Sequence, residues 1–482
     1  MKDIINRFKQ QKNISLFKNS FYYGAGQLVQ KFLSLILLPI YTRFLSPEDY
    51  GIIALMSVFT MITATITMSG LTNGISRYYF YTKQDNSTKD EVVLTPLLFI
   101  LVFTALIVGI VCAFSSNLSN FFFDSTNYTY IIQLAVSTIF FSNIFSVCHS
   151  VLIFEEKVWT VNLLTITNVL IGAFLGITLV IYLDRGVNGI FEAAFFTAIL
   201  TSILISYIVL RKLKWIFNGG LLLKQLKFSL PLMLAVFAFF FIDSSDIYVL
   251  KLFLPLSEVG LYNIGYQFGM LIVLFVGGFS AAWPPFYHKN NSDGQGQSFC
   301  GDVLTVYLVI TIPCVVIISH IGPIAIQLLT PVSYHESYTV IPFVALAYML
   351  KGPYIIFLMG LLVKNKTSWQ LYLEILAAAI NIILNFTLIP IIGKEAAAMT
   401  TLLSYTVMVV GSYIMVNIVN PLPNFRIFKP TLYFLIGILF SVLSLYFYRY
   451  NWSVYTLSPI LFIIFSYVYY KNTFTEAIRK LV

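Results

Sequence analysis

The stretch IYTRFLSPEDYG, residues 40–51, places an arginine at the end of an apolar run and follows it with a proline turn and two acids. A related stretch, LFLPLSEVGLY, occupies residues 252–262. At one constant offset of 209 residues the chain matches itself at five positions: Phe44 with Phe253, Leu45 with Leu254, Asp49 with Glu258, Gly51 with Gly260, and Tyr78 with Tyr287. A second echo aligns GIFEAAF at 189–195 with GKEAAAM at 393–399. These matches predict that the chain contains an internal duplication.

The composition predicts a membrane protein. Of the 482 residues, 59% are hydrophobic and only 10% are charged, whereas a soluble domain carries roughly 25% charged residues. Apolar runs long enough to cross a bilayer recur along the whole length. We therefore predict an all-α polytopic protein with about fourteen transmembrane helices, at residues 20–42, 50–75, 92–114, 129–152, 160–183, 189–210, 228–250, 259–282, 301–320, 338–363, 369–391, 396–417, 430–448 and 453–470.

The lysines and arginines predict the orientation of these helices. With the N-terminus on the cytoplasmic side, the inner segments carry 22 Lys and Arg residues and the outer loops carry five. Cytoplasmic loops are enriched in Lys and Arg, so both termini are expected in the cytoplasm. The net charge of +9 is then a signal of topology, and it requires no nucleic-acid partner.

The duplicated unit contains six predicted helices, so both copies enter the membrane in the same orientation. Such parallel repeats form two lobes related by an axis along the membrane normal, with a substrate site at their interface. The expected organisation is a cytoplasmic basic arm at 1–19, a first lobe at 20–210, a cytoplasmic linker at 211–227, a second lobe at 228–417, two additional helices at 418–470 and a cytoplasmic tail at 471–482. This arrangement favours a transporter over an enzyme.

A polar stripe follows the first predicted helix. Ser20, Gly24, Gln27, Lys31 and Ser34 are spaced four, three, four and three residues apart, which places them on one helical face. A lysine at the centre of a span costs about 2.5–3.5 kcal/mol, so Lys31 is a candidate for a functional site. The stripe either lines a hydrated cavity or forms a polar seam between helices. A cavity with an unpaired cation would suit an anionic ligand.

A similar stripe follows the second predicted helix through Thr63, Thr67, Gly70, Gly74 and Arg77. Small residues at this spacing also serve helix packing. Arg77 is either a ligand contact or a side chain that reaches the inner interface.

Three acids and one lysine are candidates in the second half. Asp243 and Asp246 lie one turn apart in the seventh helix, and they either take part in transport or contact only water or Lys251. Lys351 lies in the tenth helix. Glu374 shares one face of the eleventh helix with Asn381 and Asn385. Lys351 and Glu374 either line the substrate pathway or neutralise one another in a structural pair.

Three segments of the sequence resemble a known family: IYTRFLSPEDYG, the stretch NSFYYGAGQ before it and GLTNGISRYY at 70–79 after it. The family is that of the Wzx-type O-antigen and capsule flippases of the MOP exporter superfamily. This resemblance extends over essentially the whole chain. It implies translocation of an undecaprenyl-pyrophosphate-linked oligosaccharide from the inner to the outer leaflet of the bacterial plasma membrane. It also implies that Arg43 holds the pyrophosphate and that the last two helices form a groove for the lipid tail.

The resemblance implies no cofactor or bound metal, and it leaves the coupling ion open between a proton and sodium. The implied partners are the lipid-linked oligosaccharide, membrane lipids, and the polymerase or chain-length proteins of a glycan pathway. Two other functions stay open. One is a MATE-like antiporter for small cations, which would need an acid in the first helix. The other is a membrane polymerase or glycosyltransferase, which generally places its chemistry on a large loop or soluble domain.

Overall fold

The computed structural model describes residues 33–80, 87–290, 299–364, 366–419, 421, 428–450 and 455–468. These residues are almost entirely helical. By the density of their contacts they form two compact units. The first unit takes the described residues within 1–45 and 55–236, and the second takes those within 46–54 and 237–482.

In chain order, the helices up to the change of unit are α1 (33–41), α2 (Pro47–Met68), α3 (Leu71–Phe80), α4 (Lys89–Ala113), α5 (Ser115–Phe123), α6 (Thr129–Phe154), α7 (Val158–Ile177), α8 (Gly186–Val209) and α9 (Gly219–Phe253). The following helices are α10 (Leu256–Gly269), α11 (Val273–Asn290), α12 (Cys300–Leu329), α13 (Ile341–Met349), α14 (Lys351–Leu362), α15 (Thr367–Ile392), α16 (Lys394–Val419), α17 (Phe428–Tyr450) and α18 (Tyr455–Val468). A π-helical turn at Thr178–Tyr182 extends α7, and 3₁₀ turns occupy Leu210–Lys212, Met270–Ile272 and Val332–Val340.

Eleven helical segments among the described residues are long and apolar enough to cross a membrane. The protein is therefore a multi-pass, all-helical membrane protein, as the sequence predicts. Helix α9 and the shorter helix α18 coincide with two further predicted spans, and α1 is the described part of the span predicted at 20–42. Helix α9 begins at Gly219, inside the segment predicted as a linker at 211–227.

Helix α2 begins at Pro47 because the preceding corner satisfies its first backbone groups. The backbone N–H and the hydroxyl of Ser46 donate to Asp49 Oδ2 at 2.8 and 2.9 Å, and the Asp49 N–H donates to Ser46 Oγ at 3.2 Å. This reciprocal pairing is a capping box, and proline is favoured at the first helical position because it has no N–H to satisfy. The Ser-Pro-Glu-Asp sequence therefore marks a helix start.

The second copy of the corner starts a helix at the matching position. Helix α10 begins at Leu256, which matches Pro47 at the offset of 209 residues. Its cap residue, Pro255, provides no side-chain hydrogen bond. The acid that matches Asp49, Glu258, is therefore not used as a cap and contacts Lys394 of α16 at 2.7 Å. The duplicated corner keeps its position in the fold but gives its acid a different partner.

The two copies of the corner pack against one another within the second unit. A Cβ atom on Gly51 would lie 2.1 Å from the Leu256 carbonyl oxygen, and one on Gly260 would lie 1.8 Å from the Pro47 carbonyl oxygen. Gly51 and Gly260 match at the repeat offset, as do Pro47 and Leu256, so the contact is reciprocal. Only glycine permits the backbones of α2 and α10 to approach this closely.

Replacing Gly260 with alanine should lower the melting temperature of the purified protein. Overpacking of this kind costs about 1–3 kcal/mol, because the added methyl group must displace backbone atoms. Gly109→Ala is the matched control, since a Cβ at Gly109 in α4 meets nothing within 4 Å. Equal melting temperatures for the two variants would contradict the close contact.

Each unit has its own apolar core. The core of the first unit includes buried side chains of α3, α4, α6 and α8, among them Ile75, Leu97, Val151 and Ile205. The larger core of the second unit is centred on α12, α13 and α14. The predicted lobe boundaries and the parallel relation of the lobes stay predictions.

Candidate functional site

A charged pair joins α9 and α14 within the membrane-spanning part of the second unit. Lys351 Nζ lies 3.1 Å from Asp243 Oδ2. The other carboxylate oxygen, Oδ1, accepts the Tyr405 hydroxyl at 2.5 Å, and the Tyr266 hydroxyl donates to the Asp243 carbonyl at 3.0 Å. The Lys351 ammonium also lies 4.3 Å from the ring centroid of Tyr348. The carboxylate and the ammonium are thus held by hydroxyl and aromatic groups as well as by each other.

The Lys-Gly-Pro sequence explains why the lysine stands at this place. Pro353 has no N–H to donate to the Met349 carbonyl four residues earlier, and the Tyr307 hydroxyl donates to that carbonyl instead, at 2.7 Å. A Cβ on Gly352 would lie 2.1 Å from the Tyr307 ring, so glycine is needed for this approach. The interruption separates α13 from α14, and Lys351 is the first residue of α14.

The pair is accessible as well as polar. The side chains of Lys351 and Asp243 keep 26% and 28% of their surface exposed. Charged groups within a span face a bundle interior or a water-filled cavity, because exposure to lipid is costly. We therefore expect this pair to face a hydrated space, where a ligand can reach the ammonium group.

Asp246 lies one turn after Asp243 and is fully buried. The Tyr262 hydroxyl donates to its Oδ2 atom, and the backbone N–H of Ile247 donates to Oδ1 at 2.8 Å. Both acids of α9 therefore have partners inside the second unit. The alternative that they contact only water or Lys251 is wrong.

Glu374 of α15 is buried and is held by two neutral donors. The Tyr354 hydroxyl and the Gln370 amide both donate to Glu374 Oε1 at 2.9 Å. The alternative that Lys351 and Glu374 neutralise one another is wrong, because α14 turns Tyr354 toward α15 and Lys351 toward Asp243. The sequence supplies the signs of these charges but does not specify which helices are neighbours.

The amides that share this face of α15 connect three helices. Asn381 Oδ1 accepts from the Ser245 hydroxyl of α9 at 3.3 Å and from the Asn385 amide at 3.0 Å. Asn385 Oδ1 accepts in turn from the Thr400 hydroxyl of α16. All four side chains are at most 9% exposed. This interior of the second unit is therefore polar as well as tightly packed.

Arg77 does not lie on the helical face that its spacing predicts. The helix predicted at 50–75 ends at Met68, and Ser69 and Gly70 adopt left-handed conformations with φ of 49° and 66°. Helix α3 then starts in a new direction at Leu71. The predicted stripe from Thr63 to Arg77 on a single helix is therefore wrong.

The small residues of that stripe serve packing. A Cβ on Gly70 would lie 2.6 Å from the Ser229 carbonyl oxygen, and one on Gly74 would lie 2.6 Å from the Ser229 hydroxyl. Arg77 is exposed, and its guanidinium lies 4.4 Å from the ring centroid of Phe228. Both of these partners belong to α9, which packs against α3.

The remaining predicted cations are Arg43 and Lys31. Arg43 is exposed in the turn between α1 and α2. Lys31 and Gln27 lie outside the described residues. The phosphate contacts expected of this part of the chain therefore stay predictions.

Sequence reasoning missed a buried lysine. Lys394, assigned to an outer loop by its position between spans, is 5% exposed at the start of α16. It pairs with Glu258 at 2.7 Å and lies 3.9 Å from both Glu336 and Glu395. The sequence did carry a signal for this pair. Glu258 matches the capping acid Asp49, but Pro255 stands where Ser46 would be, so Glu258 has no capping partner and needs another one.

A second ion pair lies at the start of α8 in the first unit. Arg185 Nη2 donates to Glu192 Oε1 at 2.5 Å, and its Nε donates to Oε2 at 3.2 Å. The Tyr130 hydroxyl also donates to Oε1, at 3.1 Å. Bidentate pairs of this geometry fix orientation, so Glu192 ties α8 to the preceding turn and to α6.

The first unit contains a half-open cavity of about 460 Å³ between α1, α6, α7 and α8. Its lining consists of hydroxyl, amide, aromatic and small side chains: Tyr41, Thr138, Ser142, Phe145, Ser146, Asn168, Gly172, Gly176, Ile190, Ala193, Ala194, Thr197, Ala198 and Thr201. The volume falls within the range of about 300–1,000 Å³ found for small-molecule sites.

Comparison with known proteins identifies similar sequences. The family described as polysaccharide biosynthesis protein matches residues 16–291, more than half of the chain. Protein 1 of the Lsg locus of Haemophilus influenzae is 26% identical over an alignment 290 residues long, which covers 57% of this chain and 67% of that protein.

Solved structures share the fold. The lipid II flippase MurJ in an inward closed conformation is similar with a TM-score of 0.67 at 17% identity, over 95% of this chain and 99% of MurJ. An inward-facing multidrug resistance MATE family transporter of the MOP superfamily gives a TM-score of 0.64 at 16% identity, over 81% of this chain and 94% of the transporter. The predicted all-α, polytopic fold class is confirmed.

Proposed function

Because the chain belongs to the polysaccharide biosynthesis protein family, we propose that it is a flippase for a lipid-linked oligosaccharide. The substrate is an undecaprenyl-pyrophosphate-linked repeat unit, moved from the inner to the outer leaflet of the bacterial plasma membrane by alternating access. Family and fold point to a membrane transporter. The observation that supports a phosphate-bearing substrate is the accessible Lys351–Asp243 pair inside the membrane span.

The physical problem is the transfer of a polar head across hydrocarbon. A glycan pyrophosphate cannot cross lipid without losing its hydration, whereas the polyprenyl tail need never leave the bilayer. A hydrated pathway that contains a cation lowers the barrier for the head alone. Arg43 and Lys31 extend this cationic character in the proposal.

The ion pair suggests how the substrate engages. Lys351 is held by Asp243 in the structure, so a phosphate oxygen must compete with that carboxylate for the ammonium. When phosphate replaces it, Asp243 keeps the Tyr405 hydroxyl and becomes able to take up a proton or sodium ion. Binding of the anion and uptake of the coupling cation are then linked through one lysine. Asp246 and Glu374 are further candidates for the coupling acid.

The predicted setting follows from this function. The protein lies in the bacterial plasma membrane with both termini in the cytoplasm, as the Lys and Arg distribution predicts. Polymerase or chain-length proteins of the glycan pathway are the proposed partners, since they act on the glycan after it reaches the outer leaflet.

A second candidate function is export of organic cations in exchange for a proton or sodium. The buried carboxyl groups of Asp246 and Glu374 favour the exchange step, because both are held by neutral donors and either can take up a proton or sodium ion, while the cation itself would need a separate acid in the first helix. The family membership favours the glycan substrate.

Deleting the gene should cause lipid-linked glycan to build up in the inner leaflet while surface glycan disappears. The measurement is the extracted lipid-linked glycan in the deletion strain, in the complemented strain, and in a strain that cannot begin the glycan. Normal surface glycan together with increased sensitivity to ethidium would contradict the flippase and support the cation exporter.

A further inference from the structure

The cavity of the first unit is built by one face from each of three helices, together with Tyr41 of α1. Its residues in α6 are Thr138, Ser142, Phe145 and Ser146, those in α7 are Asn168, Gly172 and Gly176, and those in α8 run from Ile190 to Thr201. The lining residues recur every three or four residues along each helix, singly in α7 and partly as adjacent pairs in α6 and α8, which is the pattern of a single helical face. Glycines and alanines on α7 and α8 leave the volume open, and hydroxyl and amide groups surround it.

The lining is neutral, with hydroxyl and amide groups set within a larger apolar surface. None of its described side chains carries a formal charge at neutral pH. A phosphate group would find no cation here, and an organic cation would find no carboxylate. A lipid tail would leave the Thr197 hydroxyl without a partner. The chemistry fits an uncharged ligand that donates and accepts hydrogen bonds.

One lining group is unsatisfied in a way that points to a ligand. The Thr197 hydroxyl has no hydrogen-bond partner among the described residues, although the residue is only 6% exposed. Its neighbour Thr201 differs, because that hydroxyl donates to the Thr197 carbonyl at 2.8 Å and lies 3.5 Å from Asn168 Oδ1. Buried polar groups are nearly always paired, and this oxygen is shielded from solvent, so a rotation about χ1, for which threonine in a helix has two preferred values, would bring it to a group inside the cavity.

We propose that this cavity binds one uncharged sugar residue of the transported glycan. The inference rests on the proposed function, because it gives the glycan a recognition site separate from the cation that engages its phosphate. Hydroxyl groups of a pyranose pair with Thr197 and Asn168, and the apolar face of the sugar ring packs against the aromatic rings of Phe145 and Tyr41. Selectivity among sugars then follows from the shape of a neutral pocket.

Substitutions at the glycines of α7 would fill the cavity to different extents. A Cβ on Gly172 would lie 3.6 Å from Thr197 Oγ1, an ordinary van der Waals distance, so Gly172→Ala fits without strain and Gly172→Leu extends into the space. Gly176 is unsuitable, because its Cβ would lie 2.2 Å from the Tyr41 hydroxyl. Gly109→Leu is the matched control, since α4 has open space at Gly109.

The direct test measures sugar binding to the purified full-length protein by saturation-transfer-difference NMR. The probes are the methyl glycosides of glucose, galactose and N-acetylglucosamine, and the oligosaccharide released by mild acid from the host's own lipid-linked glycan. We expect wild type and Gly109→Leu to bind at least one probe, and Gly172→Leu to lose that signal. Thr197→Val keeps the volume and removes one hydrogen bond, so binding should weaken about two- to tenfold.

Two further measurements distinguish failure of the sugar pocket from failure of the proposed flippase function. Binding should be the same at low and high salt, because the pocket is neutral, and it should survive Lys351→Met. Probe signals that are equal in wild type and Gly172→Leu, including no signal in either, overturn the sugar pocket. If the pocket binds sugar but deletion of the gene leaves surface glycan normal, the flippase fails while the binding site stands.

Discussion

Replacing Lys351 with methionine should lower the rate of glycan translocation about ten- to a hundredfold. This range corresponds to a loss of one or two interactions with the substrate phosphate, since about 1.4 kcal/mol in the barrier changes a rate tenfold. The change removes the ammonium that lies 3.1 Å from Asp243, and with it the group proposed to engage the phosphate. Lys351→Arg keeps the charge and should retain part of the activity. The measurement is the initial rate at which lipid-linked glycan becomes accessible in reconstituted vesicles.

The companion variant separates function from structure. Lys351→Met leaves the Asp243 carboxylate without its cation, so the melting temperature should also fall. The double variant Asp243→Asn, Lys351→Met removes both charges and should restore the melting temperature but not the translocation. Recovery of translocation in the double variant would show that the pair is only structural. Lys364→Met, which changes an exposed lysine of the same unit, is the control.

Replacing Lys394 with methionine should cause a large loss of stability, roughly 1.5–3 kcal/mol, because it removes a buried ammonium and leaves the half-buried Glu258 carboxylate without its partner. Glu258 loses its contact at 2.7 Å, and Glu336 and Glu395 each lose a cation at 3.9 Å. Thermal unfolding of the purified protein measures the effect.

A double-mutant cycle isolates this pair. Glu258→Gln in the Lys394→Met background removes the unpaired charge, so part of the lost stability should return. Additive losses from the two substitutions would contradict a direct interaction. A melting temperature equal to that of Lys364→Met would show that burial of Lys394 is unimportant.

The sequence predicts the elements whose causes are local. The Ser46-Pro47-Glu48-Asp49 corner carries its own capping groups, and the start of α2 follows from them. The apolar runs predict the spans because length and composition are sufficient conditions for crossing a bilayer. The offset of the duplicated corner also predicts where α10 begins, since Leu256 matches Pro47.

The pairing of charges could not be predicted in the same way, because it depends on which helices are neighbours. Lys351 contacts Asp243 across 108 positions of sequence, while Glu374, closer in sequence, faces Tyr354. The break at Ser69 and Gly70 depends likewise on the approach of Ser229 from α9. The cavity of the first unit could not be predicted either, because it forms only where the faces of α6, α7 and α8 meet beside Tyr41 of α1.

The central claim is that the protein moves a phosphate-bearing glycan lipid between leaflets, and translocation in vesicles tests it most directly. The purified protein is reconstituted with undecaprenyl-pyrophosphate-linked oligosaccharide, and a glycosidase is added outside. We expect digestion to proceed beyond the outer-leaflet share seen in protein-free vesicles, and Lys351→Met to slow this additional digestion. Digestion that stops at the share of protein-free vesicles, under each imposed proton or sodium gradient, would show that the protein does not move this lipid.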